Sequence, residues 1–175
     1  MEVSNIESFI SICQKHHWSF YHFTDVRNLT SIKEHGLLST AALRARSIET
    51  VTGGNQWSLD ADRSKGMDAF IHLCFFNEHP MEYLAKKDGR IKTSKFLLID
   101  PAVLRTPNSL IAKDVSNKAD ASYGNAEEFI EQVDLKVIYT KTDWKDKAVQ
   151  DRLRAARKSE ILIPEHIPLN FIRNL

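Results

Sequence analysis

The hydrophobic period of this chain switches from helical to extended at Trp18. Before the switch, Ile6, Phe9, Ile10 and Cys13 stand at helical spacing behind Ser4-Asn5-Ile6-Glu7, which has the form of a capping box. An amphipathic helix ending near His16-His17 is expected. After the switch, Trp18 to Thr24 is aromatic and β-branched with no Gly or Pro, which predicts a strand carrying Phe20, His22 and Thr24 on one face. Val26, Leu29 and Ile32 then form a short helical stripe capped by Asp25 or Asn28, with Gly36 where a left-handed C-cap residue is wanted.

From Ser39 to Met67 the chain is polar and irregular, with Gly53-Gly54 and several Ser and Thr, and reads as a long loop with some helix at 40–47. Ala69 to Phe76, Ser94 to Asp100 and Leu135 to Thr140 are apolar runs of strand length. Ala126 to Gln132 and Lys147 to Lys158 read as helices, the second turning Val149, Leu153 and Ala156 to the core. Glu160-Ile161-Leu162-Ile163 is a final strand stopped by Pro164 and Pro168. The sum is an α+β fold without the strand–helix alternation of a doubly wound sheet. At 175 residues and 42% hydrophobic, residues 1–175 suit a single domain with one sizeable core.

Charge narrows the partners. With 24 basic and 23 acidic residues the net charge is +1, so a polyanion must meet a local basic patch rather than a global field. No apolar run approaches the roughly eighteen residues that span a bilayer, and the N-terminus lacks the pattern of a signal peptide. No membrane partner is expected, and Cys13 and Cys74 read as buried free thiols in a reducing cytoplasm.

Few residues are arranged for chemistry. Among seven histidines and two cysteines, His72-x-Cys74 is the one close pair and no second pair stands at a zinc spacing, so no metal is expected. Gly53-Gly54 is neither a P-loop nor a dinucleotide fingerprint. His22 lies mid-strand among aromatics, where a hydrogen-bonded core histidine is the ordinary explanation and a binding residue the sharper one. Glu160 stands where a basic helix gives way to an apolar strand, and either pairs with a cation or lines a cleft. Lys147, Gln150, Arg154 and Lys158 share one helix face with Arg157 at its margin, a solvated surface or a phosphate-contacting stripe.

Taken together, Tyr21-His22-Phe23-Thr24 and Asn28-Leu29-x-x-Ile32-x-x-x-Gly36-Leu37-Leu38 resemble the opening of the DarT-type DNA ADP-ribosyltransferase toxins, also called DUF4433. Asp68 to Met81, Lys95 to Asp100 and Ala156 to Leu169 match further blocks of that family in order. The chain departs in carrying Glu78-His79 before the Pro-Met, where the family has Arg-Ser. The resemblance implies a split, bent β-sheet core flanked by helices, with NAD as substrate in its cleft. It implies that His22 and Thr24 hold the nicotinamide and its ribose, that Asn28 and Ser31 are neighbouring contacts, and that Glu160 is the catalytic carboxylate. Arg63 best fits the family's arginine, with Arg44 and Arg46 as fallbacks.

Those residue types suit the reaction. Cleaving the ribose–nicotinamide bond builds positive charge at the anomeric carbon, which a carboxylate stabilises. A cation beside a thymine ring nitrogen favours its deprotonated, nucleophilic form. The implied function is transfer of ADP-ribose to a nucleobase, thymine or guanine, of single-stranded DNA, with Lys147, Arg154, Arg157 and Lys158 on the strand and a macrodomain antitoxin as partner. The alternatives are an RNA or protein acceptor, or a non-catalytic NAD- or ADP-ribose-binding module. An RNA 2′-phosphotransferase would gather basic residues around His22, which this chain does not.

Overall fold

The computed structural model describes residues 5–175. Helix α1 (Asn5–Lys15) buries Phe9, Ile10 and Cys13, the stripe its spacing predicts. Glu127 serves its first turn, accepting Asn5 N at 2.5 Å and Ile6 N at 3.3 Å, while Glu7 pairs with Arg105 at 2.7 Å. Ser4, the first residue of the expected capping box, lies outside the described residues. Strand β1 (Phe20–Asp25) ends in a fully buried carboxylate. Asp25 accepts the backbone N–H groups of Arg27 and Lys92 and two guanidinium bonds from Arg27, which caps the turn Val26–Asn28 leading into α2 (Leu29–His35). Gly36 has the expected positive φ of 74°, but with ψ −171°. That conformation is extended rather than left-handed helical, and essentially only glycine occupies it.

After β2 (Leu37–Leu38) the segment read as a long loop is substantially helical, with α3 (Thr40–Ala45) and α4 (Gln56–Ser64) inside it. Ser39 and Asn55 cap the two helices by accepting Ala42 N and Ser58 N. Ala42 and Ser58 are the buried residues of these helices, so no apolar stripe marks them in the sequence. There follow β3 (Phe70–Cys74), α5 (Pro80–Lys87), β4 (Ser94–Ile99), β5 (Leu110–Ala112), β6 (Tyr123–Asn125) and α6 (Ala126–Phe129), which runs on into a 3₁₀ turn at Ile130–Gln132. The expected strand at 135–140 is instead a helix, α7 (Leu135–Tyr139). Asp134 caps it through Val137 N, and its apolar residues pack against α8 (Lys147–Ala156) instead of pairing in a sheet. Strands β7 (Glu160–Pro164) and β8 (His166–Ile167) complete the chain.

Six strands form one antiparallel sheet in the order β4-β1-β3-β7-β5-β6, and β2 pairs with β8. Strand β1 pairs with β4 from Phe20↔Ile99 to Asp25↔Ser94, and β3 pairs with β7 from Phe70↔Pro164 to Cys74↔Glu160. Between these two halves the only register pair among the described residues is Tyr21↔Cys74. The sheet is therefore split, joined at one end of β1 and open toward the other. Phe20, Leu73, Leu97, Ile99, Ile111, Ile161 and Ile163 pack on one face with α1, and Met67, Ala112 and Leu162 form a smaller cluster on the other.

Candidate active site

The opening between β1 and β3 is where His22 sits. Alternation along β1 places it opposite Leu97 of β4, and its Nδ1 lies 3.0 Å from the carbonyl oxygen of His72 on β3, so the ring occupies the gap the sheet ladder leaves unpaired. A carbonyl only accepts, so Nδ1 carries the proton. Burial, reinforced by the charges of His72 and His79, holds the His22 pKa below the usual histidine value despite the bond to His72. A neutral ring that donates through Nδ1 keeps an unprotonated Nε2 as an acceptor.

Glu160 comes from the other half. As the first residue of β7 it stands between Cys74 of β3 and Ala112 of β5, and only 7% of it is exposed. Its Oε2 accepts Ser116 N at 2.9 Å and faces His72 Nδ1 at 3.4 Å. The Ser116 hydroxyl is buried beside it without a geometrically satisfied partner. Burial would raise the Glu160 pKa, but the bond to His72, its charge and the bond from Ser116 N outweigh burial and lower it. Glu160 is an ionised carboxylate with one oxygen fixed and Oε1 free of protein partners among the described residues.

His72 is the residue that sequence reasoning missed. Cys74 pairs with Glu160, so His72, two residues earlier on the same face, lies diagonally across the β3–β7 ladder from it. Nothing in the sequence states that register. The other ring nitrogen, Nε2, lies 3.1 Å from the Met67 carbonyl oxygen. Burial opposes a charge here, yet the bond to Glu160, its charge, that of Asp62 and the Met67 carbonyl together raise the pKa to about 9. Both ring nitrogens then donate, as an imidazolium requires. The His72-x-Cys74 pair does not converge, for Cys74 Sγ donates to the carbonyl oxygens of Tyr21 and Phe76.

Two further groups face the pair. Asp62, on α4, has a buried Oδ1 without a partner, and burial raises its pKa against the lowering effect of the His72 charge. His79 stacks on Phe23 with ring centroids 5.6 Å apart, and its Nδ1 accepts Met81 N at 3.1 Å to cap α5. Burial holds its pKa low, although the Glu160 charge works the other way. This unprotonated cap stands where the resemblance leads one to look for Arg-Ser.

The remaining candidate residues separate into engaged and open ones. Thr24 is buried, and its hydroxyl accepts Asn28 Nδ2 at 3.0 Å. Asn28 also donates to the Val51 carbonyl at 2.8 Å and accepts Val51 N at 2.9 Å, so its amide straps the 51–54 segment to β1. Phe23, against which Gly53 packs, and Arg90, which donates to the Gly53 carbonyl, hold the same segment. Ser31 is half-buried, with no hydrogen bond to its hydroxyl among the described residues. Arg44 pairs with Asp68 at 3.2 Å and Arg46 with Glu165 at 4.0 Å, whereas Arg63, exposed and one residue beyond Asp62, makes no ion pair among the described residues. On α8, Arg154 pairs with Asp151, and Arg157 pairs with Glu78 and lies over the Phe76 ring. Lys147 and Lys158 are exposed and unpaired among the described residues.

A split antiparallel sheet with a histidine ring in the gap and an ionised carboxylate at the head of a strand in the opposite half has the form of an ADP-ribosyltransferase fold. The family comparison narrows this. Residues 21–175 match the family described as "ssDNA thymidine ADP-ribosyltransferase, DarT", and the chain belongs to the DarT family. No curated protein sequence matches it significantly. Among solved structures, Thermosipho africanus DarTG in complex with ADP-ribose superposes with a TM-score of 0.68 at 19% identity, covering 89% of this chain and 42% of that one. Thermus sp. 2.9 DarT in complex with ADP-ribosylated ssDNA gives 0.66 at 16% identity, covering 87% of this chain and 78% of that one. The same Thermus protein in complex with NAD+ gives 0.58 at 16% identity over 88% and 78%. The chain thus spans less than half the length of the Thermosipho protein.

Proposed function

We propose that this chain transfers ADP-ribose from NAD to thymidine in single-stranded DNA, with Glu160 as its catalytic carboxylate. The observation that carries the reading is the state of Glu160: buried, ionised, fixed through Oε2 and open at Oε1, in the half-sheet across the gap from His22. NAD supplies the electrophile, because loss of nicotinamide leaves positive character on the ribose. A fixed negative charge stabilises that character, and the free Oε1 suits a ribose hydroxyl. His22 offers its Nε2 lone pair at the nicotinamide end, with the Thr24 and Ser31 hydroxyls beside it. Asn28 acts by fixing the adjoining segment. The unpaired guanidinium of Arg63 is the arginine best able to favour the deprotonated thymine. Lys147 and Lys158, with Arg154 and Arg157 once their surface ion pairs exchange for phosphate, make the strand-binding stripe. Action as a cytoplasmic toxin countered by a macrodomain antitoxin completes the reading, supported by the likeness to a DarTG protein.

The test is Glu160→Gln, assayed with labelled NAD against separate pools of single-stranded DNA, duplex DNA, RNA and protein. This substitution keeps shape and removes charge, so NAD binding should persist while transfer to single-stranded DNA falls by about a hundredfold or more. Near wild-type transfer by the variant removes Glu160 from catalysis. A better protein or RNA acceptor removes the DNA assignment.

A further inference from the structure

We propose that His72 is a positioning residue for the transfer reaction, holding Glu160 by Oε2 so that Oε1 alone is presented to the substrate. This rests on Glu160 being the catalytic carboxylate. The geometry has three parts. His72 Nδ1 faces Oε2 at 3.4 Å, Ser116 N meets the same oxygen at 2.9 Å, and Met67 O anchors the far side of the ring at 3.1 Å. The imidazole is thereby clamped between a backbone carbonyl and the carboxylate, and it can satisfy both only when doubly protonated. A carboxylate with two donors on one oxygen has lost its rotational freedom, and electrostatic catalysis depends on a group already aimed before the charge develops.

The groups around the ring make it responsive to pH. Glu160 of β7 and Asp62 of α4 act on His72 as carboxylates, the Met67 carbonyl accepts from it, and His22 of β1 and His79 ahead of α5 lie within electrostatic reach. When His72 loses a proton, the remaining one must serve either Met67 or Glu160. If Met67 keeps it, a lone pair on Nδ1 confronts Oε2 and the clamp opens. Because the folded pKa is raised, the stabilisation is complete below the ordinary histidine value of 6.5 and is lost as pH climbs through about 9.

Two substitutions divide the clamp. The amide nitrogen of His72→Asn overlays the Nδ1 position and keeps a donor toward Glu160, whereas that of His72→Gln overlays Nε2 and keeps the donor toward Met67. Transfer to single-stranded DNA should fall about ten- to a hundredfold in kcat for His72→Gln, with the KM for NAD nearly unchanged, and recover partly in His72→Asn. The alkaline fall in kcat expected of the wild type should vanish in both variants. A His72→Gln enzyme with wild-type kcat and pH profile, beside an inactive Glu160→Gln, overturns the proposal and leaves the catalytic assignment intact. Full activity in Glu160→Gln defeats that assignment instead. Should neither His72 variant fold, NMR titration of the intact wild type decides. The His72 ring should remain charged at pH 8 and lose that charge more readily in Glu160→Gln, and a ring already neutral at pH 7 refutes the clamp.

Discussion

Replacing Asn28 with Asp changes one atom and asks whether this residue touches NAD or only straps a loop. The amide makes three hydrogen bonds: Nδ2 to Thr24 Oγ1 at 3.0 Å, Nδ2 to Val51 O at 2.8 Å, and Oδ1 from Val51 N at 2.9 Å. Asp retains the third and sets an anionic oxygen against the Val51 carbonyl in place of a donor. The Thr24 hydroxyl can turn to donate to the new carboxylate, so one bond is lost at about 1 kcal/mol, and with a further ~1 kcal/mol for the carbonyl–carboxylate opposition the cost is about 2 kcal/mol. Residues 51–54 sit on the surface of β1 rather than in the core, so the cost appears as local opening and not as global unfolding. With 1.4 kcal/mol per factor of ten, amide exchange at Val51 should quicken by about thirtyfold while β3 and β7 keep their protection. Hydrogen-exchange mass spectrometry of the peptide covering 48–55 measures this, alongside the KM for NAD. A raised KM with unchanged exchange refutes the reasoning and makes Asn28 a direct ligand contact. Unchanged KM with faster exchange shows that the strapped segment has no part in binding.

Two other perturbations follow from local geometry. A Cβ on Gly36 would lie 2.5 Å from the Ile167 carbonyl oxygen, at a φ of 74° that disfavours side chains. Gly36→Ala should therefore cost about 2–4 kcal/mol and lower Tm by roughly 6–12 °C, and calorimetry showing a change under 1 °C contradicts the close β2–β8 approach. Burial pushes the Cys13 and Cys74 thiols up to about 12, so neither should react with a thiol reagent at pH 8 in the folded protein. Rapid stoichiometric labelling without denaturant would show that β1 or β3 opens readily.

The parts of the site that belong to one strand were legible in the sequence, and the parts that depend on two strands were not. The strand positions of His22 and Thr24 follow from the period of β1, and that of Glu160 from the junction of a basic helix with an apolar strand, while their roles were implied by the family resemblance alone. His72 depends on the register that sets Cys74 opposite Glu160, a fact of pairing that no single segment encodes. Asp62 lay in a stretch read as loop because α4 buries a serine rather than an apolar stripe. Leu135 to Thr140 misled in the other direction: six residues are too few to tell a buried helical turn from a strand, and the Asp134 cap decides for helix. Asn28 was assigned to the ligand by resemblance, and nothing in the sequence shows the three bonds by which it joins Thr24 to Val51.

The single stitch between β1 and β3 has a consequence for how such a catalyst can be tuned. Tyr21↔Cys74 is the one register pair among the described residues that joins the leaves carrying His22 and Glu160, so the backbone ladder hardly dictates their separation. Side-chain volume does: Phe20 meets Phe75 edge-on at 5.6 Å and stacks on Phe9 at 6.1 Å, with Leu73 packed in the same cluster. The spacing between the two reactive leaves is thus a property of greasy spacers in the spine. Exchanging one spacer for a slightly larger or smaller one re-aims the histidine relative to the carboxylate without altering a polar atom. Enzymes built this way can drift in reach and substrate preference through changes that look, on inspection, like ordinary repacking.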